Sequence, residues 1–143
     1  MDHINRILAV SWSTKYCGKT IQYGMSLAEK YKAELYVLHI IDTKWIHGFN
    51  LPMITVEKEH KKDMEKYKAE LDNMIDAGKR EGMIIKEFVE EGNASEVILK
   101  LIKEQHIELL ILRTYEETRL ERMLIGGSND EIIRAMPCAI LLV

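Results

Sequence analysis

The chain has 143 residues and a mass of 16.6 kDa, with 47% hydrophobic and 30% charged residues and a formal net charge of −3. That length predicts a single domain, residues 1–143, with one core of its own, and the composition excludes a disordered, collagenous or disulfide-stapled chain. A sequence pI of about 6.0 lacks the basic excess that nucleic-acid binding needs.

Cys17 and Cys138 are far apart and form no Cys-x-x-Cys. They read as reduced thiols, which points to the cytoplasm. The opening Met-Asp-His-Ile-Asn-Arg has no signal-peptide pattern, and no apolar run reaches the ~18 residues of a membrane span.

The first apolar run is Ile7–Val10, followed by Ser11-Trp12-Ser13-Thr14, residue types of turns and helix N-caps. A helix is predicted from Tyr16 to Tyr31, with Ile21, Met25, Leu27 and Ala28 as its apolar stripe. Glu34–Ile41 is nearly continuous apolar sequence, as a strand covered on both faces requires. Residues 42–53 read as a loop by their Gly and Pro, yet Trp45, Ile46, Phe49, Leu51 and Met53 make it unusually apolar. Exposing them together is costly, so Trp45–Met53 is expected to fold back, to close over a ligand as a lid, or to pack on a protein partner.

The longest helix is predicted from Thr55 to Gly82, with Val56, His60, Met64, Tyr67, Leu71 and Ile75 along one face and mixed charge elsewhere. Gly78 and Gly82 are places for it to weaken and stop. A third strand is predicted over Met83–Val89, a turn over Glu90–Asn93, and a helix capped by Asn93 or Ser95 that carries Val97, Ile98, Leu101 and Ile102. Ile107–Leu112 is the fourth strand. The segment Arg113–Arg122 is charged, Gly126-Gly127-Ser128-Asn129 opens a last helix, Pro137 ends it, and Cys138–Val143 is the fifth strand. Strands separated by helices predict an α/β three-layer sandwich on a parallel sheet with right-handed crossovers.

Ligands of such sheets bind beyond the carboxyl ends of the strands, where strand order reverses. The loops after strands one and four, Ser11–Tyr16 and Arg113–Gly127, are therefore the candidate site. Free N–H groups make the Gly126-Gly127-Ser128-Asn129 turn attractive to an anion, although a plain helix N-cap explains the same residues.

Four stretches carry a family resemblance: Arg6–Ser13, Ala33–His39, Glu91–Ile98 and Met123–Val143, the last with its Pro-Cys pair and closing apolar strand. Together they resemble the universal stress proteins. The resemblance implies a Rossmann-like or flavodoxin-like fold with strand order 3-2-1-4-5. Nucleotide-binding members carry Gly-x2-Gly-x9-Gly-[Ser/Thr] after strand four and an acidic residue after strand one. On this chain the three glycine positions fall on Arg113, Glu116 and Gly126, the Ser/Thr position on Gly127 with Ser128 following, and the acidic position on Ser11.

Glycines let backbone N–H groups approach phosphate without a Cβ in the way. Arg113 and Glu116 add bulk there, and Glu116 adds a charge that repels phosphate by about 1–4 kcal/mol at 4 Å, depending on the dielectric. Arg113, Arg119 and Arg122 would offset this, but Glu116, Glu117 and Glu121 lie among them. The expected function is a cytoplasmic, non-enzymatic regulatory or protective stress protein with weak or absent nucleotide binding and no resident cofactor. The alternative is an adenine-nucleotide switch or slow ATPase using ATP or AMP, with Val10, Ser11, Arg113, Gly126, Gly127 and Ser128 lining the site.

The remaining candidates are weaker. His3, His39, His47, His60 and His106 form no His-x3-His pair, so no metal site is expected. His39 reads as a buried or strand-end histidine. No Ser-His-Asp spacing or nucleophile elbow is present, and no catalytic residue is assigned. Cys17 lies near a helix start, where the dipole favours a thiolate. Cys138–Val143 is apolar and belongs at a sheet edge, which must be covered. The resemblance implies a homodimer built there.

Overall fold

The computed structural model describes residues 3–12, 18–42, 69–113 and 130–143. In chain order these give β1 (Arg6–Trp12), α1 (Gly18–Tyr31), β2 (Glu34–Asp42), helical residues 69–80 as α2, β3 (Ile85–Gly92), α3 (Ala94–Gln105), β4 (Leu109–Leu112), helical residues 130–135 as α4, and β5 (Ala139–Leu142). Every strand pair is parallel, and the order across the sheet is β3-β2-β1-β4-β5. This is the expected three-layer α/β sandwich, with β1 in the middle.

Strand side chains alternate between faces, and the core divides accordingly. Leu8, Val10, Leu38 and Leu110 pack with Ile98 and Leu101 of α3 and Ile132 of α4. On the other face Ile7, Ala9, Val37 and Ile111 pack with Ile21 of α1 and Ile75 of α2. Covered on both sides, Leu35–Leu38 are buried without a break.

Three boundaries differ from the sequence expectation. β1 runs on through Ser11 and Trp12, because its ladder to β2 continues with Ser11↔His39 and Trp12↔Ile40. β3 starts at Ile85 and passes through the predicted turn, with Ile40↔Glu90 and Ile41↔Glu91 still paired. Gly78 does not weaken α2. It is buried, and a Cβ there would lie 2.7 Å from Met25 Cε and 3.0 Å from Ile85 Cδ1, so the missing side chain lets the helix sit close. The turn after α2 falls at Gly82, whose φ of +93° is glycine territory.

Of the two candidate caps, Asn93 is the one that caps α3, its Oδ1 accepting the Glu96 amide at 3.2 Å, and Ser95 lies inside the helix. The C-terminal ends of α1 and α3 turn through Lys32 and His106, each with φ of 54°. Ala33 N–H bonds Ala28 O at 2.9 Å, and Ile107 N–H bonds Ile102 O at 3.0 Å, so a carbonyl in the last turn of each helix is engaged.

Candidate functional site

The strand order reverses between β1 and β4, so the candidate crevice opens where these two strands end. Val10 is fully buried, and its carbonyl accepts the Thr20 hydroxyl at 2.8 Å. This bond ties the first turn of α1 to the carboxyl end of β1. Ser11 is 2% exposed. Arg113 is half-buried immediately after β4. The β1–β4 ladder matches Ala9 with Ile111, so Ser11 and Arg113 stand at equivalent steps two residues further on. Of the predicted site residues, Val10, Ser11 and Arg113 are thus brought together at one end of adjacent strands. Gly126, Gly127 and Ser128 lie outside the described residues, as do Glu116, Cys17 and Trp45–Met53.

A polar row on the α1 side of the sheet escaped the sequence reading. Ser11 neighbours His39 across the ladder. His39 Nε2 lies 3.8 Å from Glu87 Oε1 on β3, and Lys79 Nζ from α2 lies 3.5 Å from Glu87 Oε2. The carboxylate therefore stands between a lysine and an imidazole. All these groups are partly solvated, where such pairs add little stability. Laying Glu34 beside Arg6 would have revealed the Ser11–His39 step. The contact to Glu87 is non-local and left no spacing signal.

On the opposite side, Ser95 Oγ meets Asn93 Oδ1 at 2.7 Å and also contacts Glu131 Oε2, joining the start of α3 to α4. Among the described residues no three His, Cys, Asp or Glu side chains gather as metal ligands. Cys138 is half-buried just before β5. Burial pushes its thiol above the ordinary range, outweighing a backbone hydrogen bond from Leu110 that lowers it. It is a protonated structural thiol at neutral pH.

The family model described as the universal stress protein family matches residues 3–143. The chain belongs to the universal stress protein family. Members are generally regulatory stress proteins. No curated protein matches this universal stress protein by sequence. Its fold resembles universal stress protein UspA from Lactobacillus plantarum, at a TM-score of 0.72 and 15% identity over 100% of this chain and 99% of that one. A family protein from Burkholderia pseudomallei gives a TM-score of 0.63 at 13% identity, covering 98% and 96%. A universal stress protein solved in complex with cAMP gives 0.62 at 14% identity, covering 99% and 98%. At these identities the likeness speaks for the fold. Among the described residues no helix is long and apolar enough to cross a membrane.

Proposed function

We propose that this universal stress protein is a cytoplasmic, non-enzymatic regulatory or protective homodimer that binds adenine nucleotides weakly or not at all. The observation carrying this reading is the pair at the crevice. A buried neutral hydroxyl, Ser11, stands where nucleotide-binding relatives place a carboxylate. Arg113, half-buried one strand over, takes the place of the first glycine of their phosphate loop. A serine offers one neutral oxygen where a carboxylate would offer two charged acceptor oxygens to the ribose hydroxyls. An arginine puts a side chain where a bed of bare amides would lie. These residues do not fit a nucleotide held in the usual family manner.

The dimer rests on the contrast between the two sheet edges. β5 and the residue after it, Ala139–Val143, carry no charged side chain, and Leu142 is 44% exposed. The opposite edge, β3, carries Lys86, Glu87, Glu90 and Glu91. Charges protect an edge strand from pairing, and their lack invites it. A two-fold axis beside β5 would set the closing strands of two copies antiparallel.

Calorimetry with ATP and AMP tests the reading. No saturation below the millimolar range is expected. Micromolar affinity, lost in Gly126→Glu and kept in Lys103→Gln, would establish the second reading, a nucleotide switch. The relative solved with cAMP and the positive charge of Arg113 favour that alternative.

A further inference from the structure

The sheet topology makes a second recess, at the pole opposite the crevice. α1 packs on one face of the sheet and returns to β2, while α3 packs on the other and returns to β4. Both strands flank β1. The two return turns therefore straddle the start of β1 from opposite faces. Between them lies a groove of about 660 Å³ lined by Asn5, Arg6, Lys32, Glu34, His106 and Glu108.

The charges in this groove are unevenly committed. Glu108 Oε1 accepts the amides of Asn5 at 2.8 Å and Arg6 at 3.1 Å. Glu34 Oε2 faces Arg6 Nε at 3.6 Å, Lys86 Nζ at 3.9 Å and the Tyr36 hydroxyl at 3.0 Å. Both carboxylates are thus occupied. Arg6 gives Nη1 to the Gln105 carbonyl at 2.9 Å and its Nε side to Glu34, leaving Nη2 of its five donors to spare. Lys32 and His106 are exposed, and their side chains meet no polar partner among the described residues. Of the carbonyls at these helix ends, which would repel an anion, those of Ala28, Glu29, Ile102 and Gln105 already accept hydrogen bonds.

Lys32 and His106 are also the two residues that turn these helix ends in the left-handed region. Glycine or asparagine ordinarily fills that position, and lysine gains nothing from it locally. Lys32 stands two residues ahead of β2 and His106 three ahead of β4, on either side of β1. Arg6 lies between them.

We propose that this groove binds a small free compound bearing two linked phosphate or comparably charged oxyanion groups, held by Lys32, Arg6 and His106. The spare Nη2 of Arg6 donates to the middle of the ligand, and the flanking side chains close on its ends. This site is independent of the crevice and of whether a nucleotide enters it.

The test uses the full chain and inorganic pyrophosphate, by calorimetry and amide-shift mapping. Saturable binding is expected, weakened at least tenfold by Lys32→Asn or by His106→Asn and unchanged by Lys103→Gln. Asparagine suits the left-handed region, so neither variant should melt below the wild type. Shift changes should centre on Asn5, Lys32 and His106. No saturation, unchanged affinity in both Asn variants, or shifts centred on Ser11 and Arg113 would overturn the assignment. A phosphoserine peptide binding more tightly than pyrophosphate would overturn the small free ligand.

Discussion

Thr20 donates its hydroxyl hydrogen to the carbonyl of Val10 at 2.8 Å, and both residues are wholly buried. The bond anchors α1 where β1 ends, directly beside Ser11. Thr20→Val keeps the shape and removes the donor. It should cost about 1–3 kcal/mol, since a buried carbonyl loses a partner. Urea unfolding checks this: the midpoint should fall with the slope unchanged.

Gly24 is where α1 comes closest to the sheet. A Cβ there would meet Leu35 Cδ1 at 2.8 Å and Ala9 Cβ at 3.3 Å. Gly24→Val should destabilise by about 1–3 kcal/mol through overpacking. Ser26→Ala, exposed on the same helix, should stay within about 0.5 kcal/mol of wild type. Equal melting of all three proteins would refute the close packing.

The Cys138 thiol is raised above its ordinary value of 9.0 by burial. In a Cys17→Ser background, iodoacetamide should therefore modify it more slowly at pH 8 than a free thiol, because less thiolate is present. The linkage follows in sign. A thiol that ionises less readily folded than unfolded gives full stability below the unfolded value, and that share is lost as pH rises through the folded one. Thermal melts above pH 9 should show wild type losing more stability than Cys138→Ala. An alkylation rate at or above that of free cysteine would count against the buried, protonated thiol.

Leu142 is exposed on an edge without charged side chains. Leu142→Lys should shift the proposed β5 dimer toward monomer at micromolar concentration while leaving the fold cooperative. Sedimentation velocity reads this directly. A wild-type chain that sediments as a monomer would remove the β5 dimer.

Much of this architecture is legible in the residues. β2 shows itself as an apolar run because both its faces are covered, and Asn93 announces α3 by its capping chemistry. β3 is harder to place because an edge strand buries little: only Ile85 of its eight residues is buried, so its glutamates resemble a turn. Ser11 looks like loop sequence and becomes strand only because β2 extends the ladder beside it. The order of elements places Val10, Ser11 and Arg113 at one rim. Neither the His39–Glu87 contact nor the meeting of Lys32, Arg6 and His106 could be read from spacing, since each joins residues distant in the chain through the sheet.

The central position of β1 also bears on synthesis. The central strand of the sheet is made before the other four, and its second neighbour arrives only when Leu109 comes to lie against Ile7. At about 5–20 residues per second on the ribosome, β1 waits several seconds or more with one flank open. Loop closure over so long a stretch is slow, so the nascent chain passes through a stage in which its central, wholly buried Ile7–Val10 run is half-paired, and chaperones would find their opportunity there.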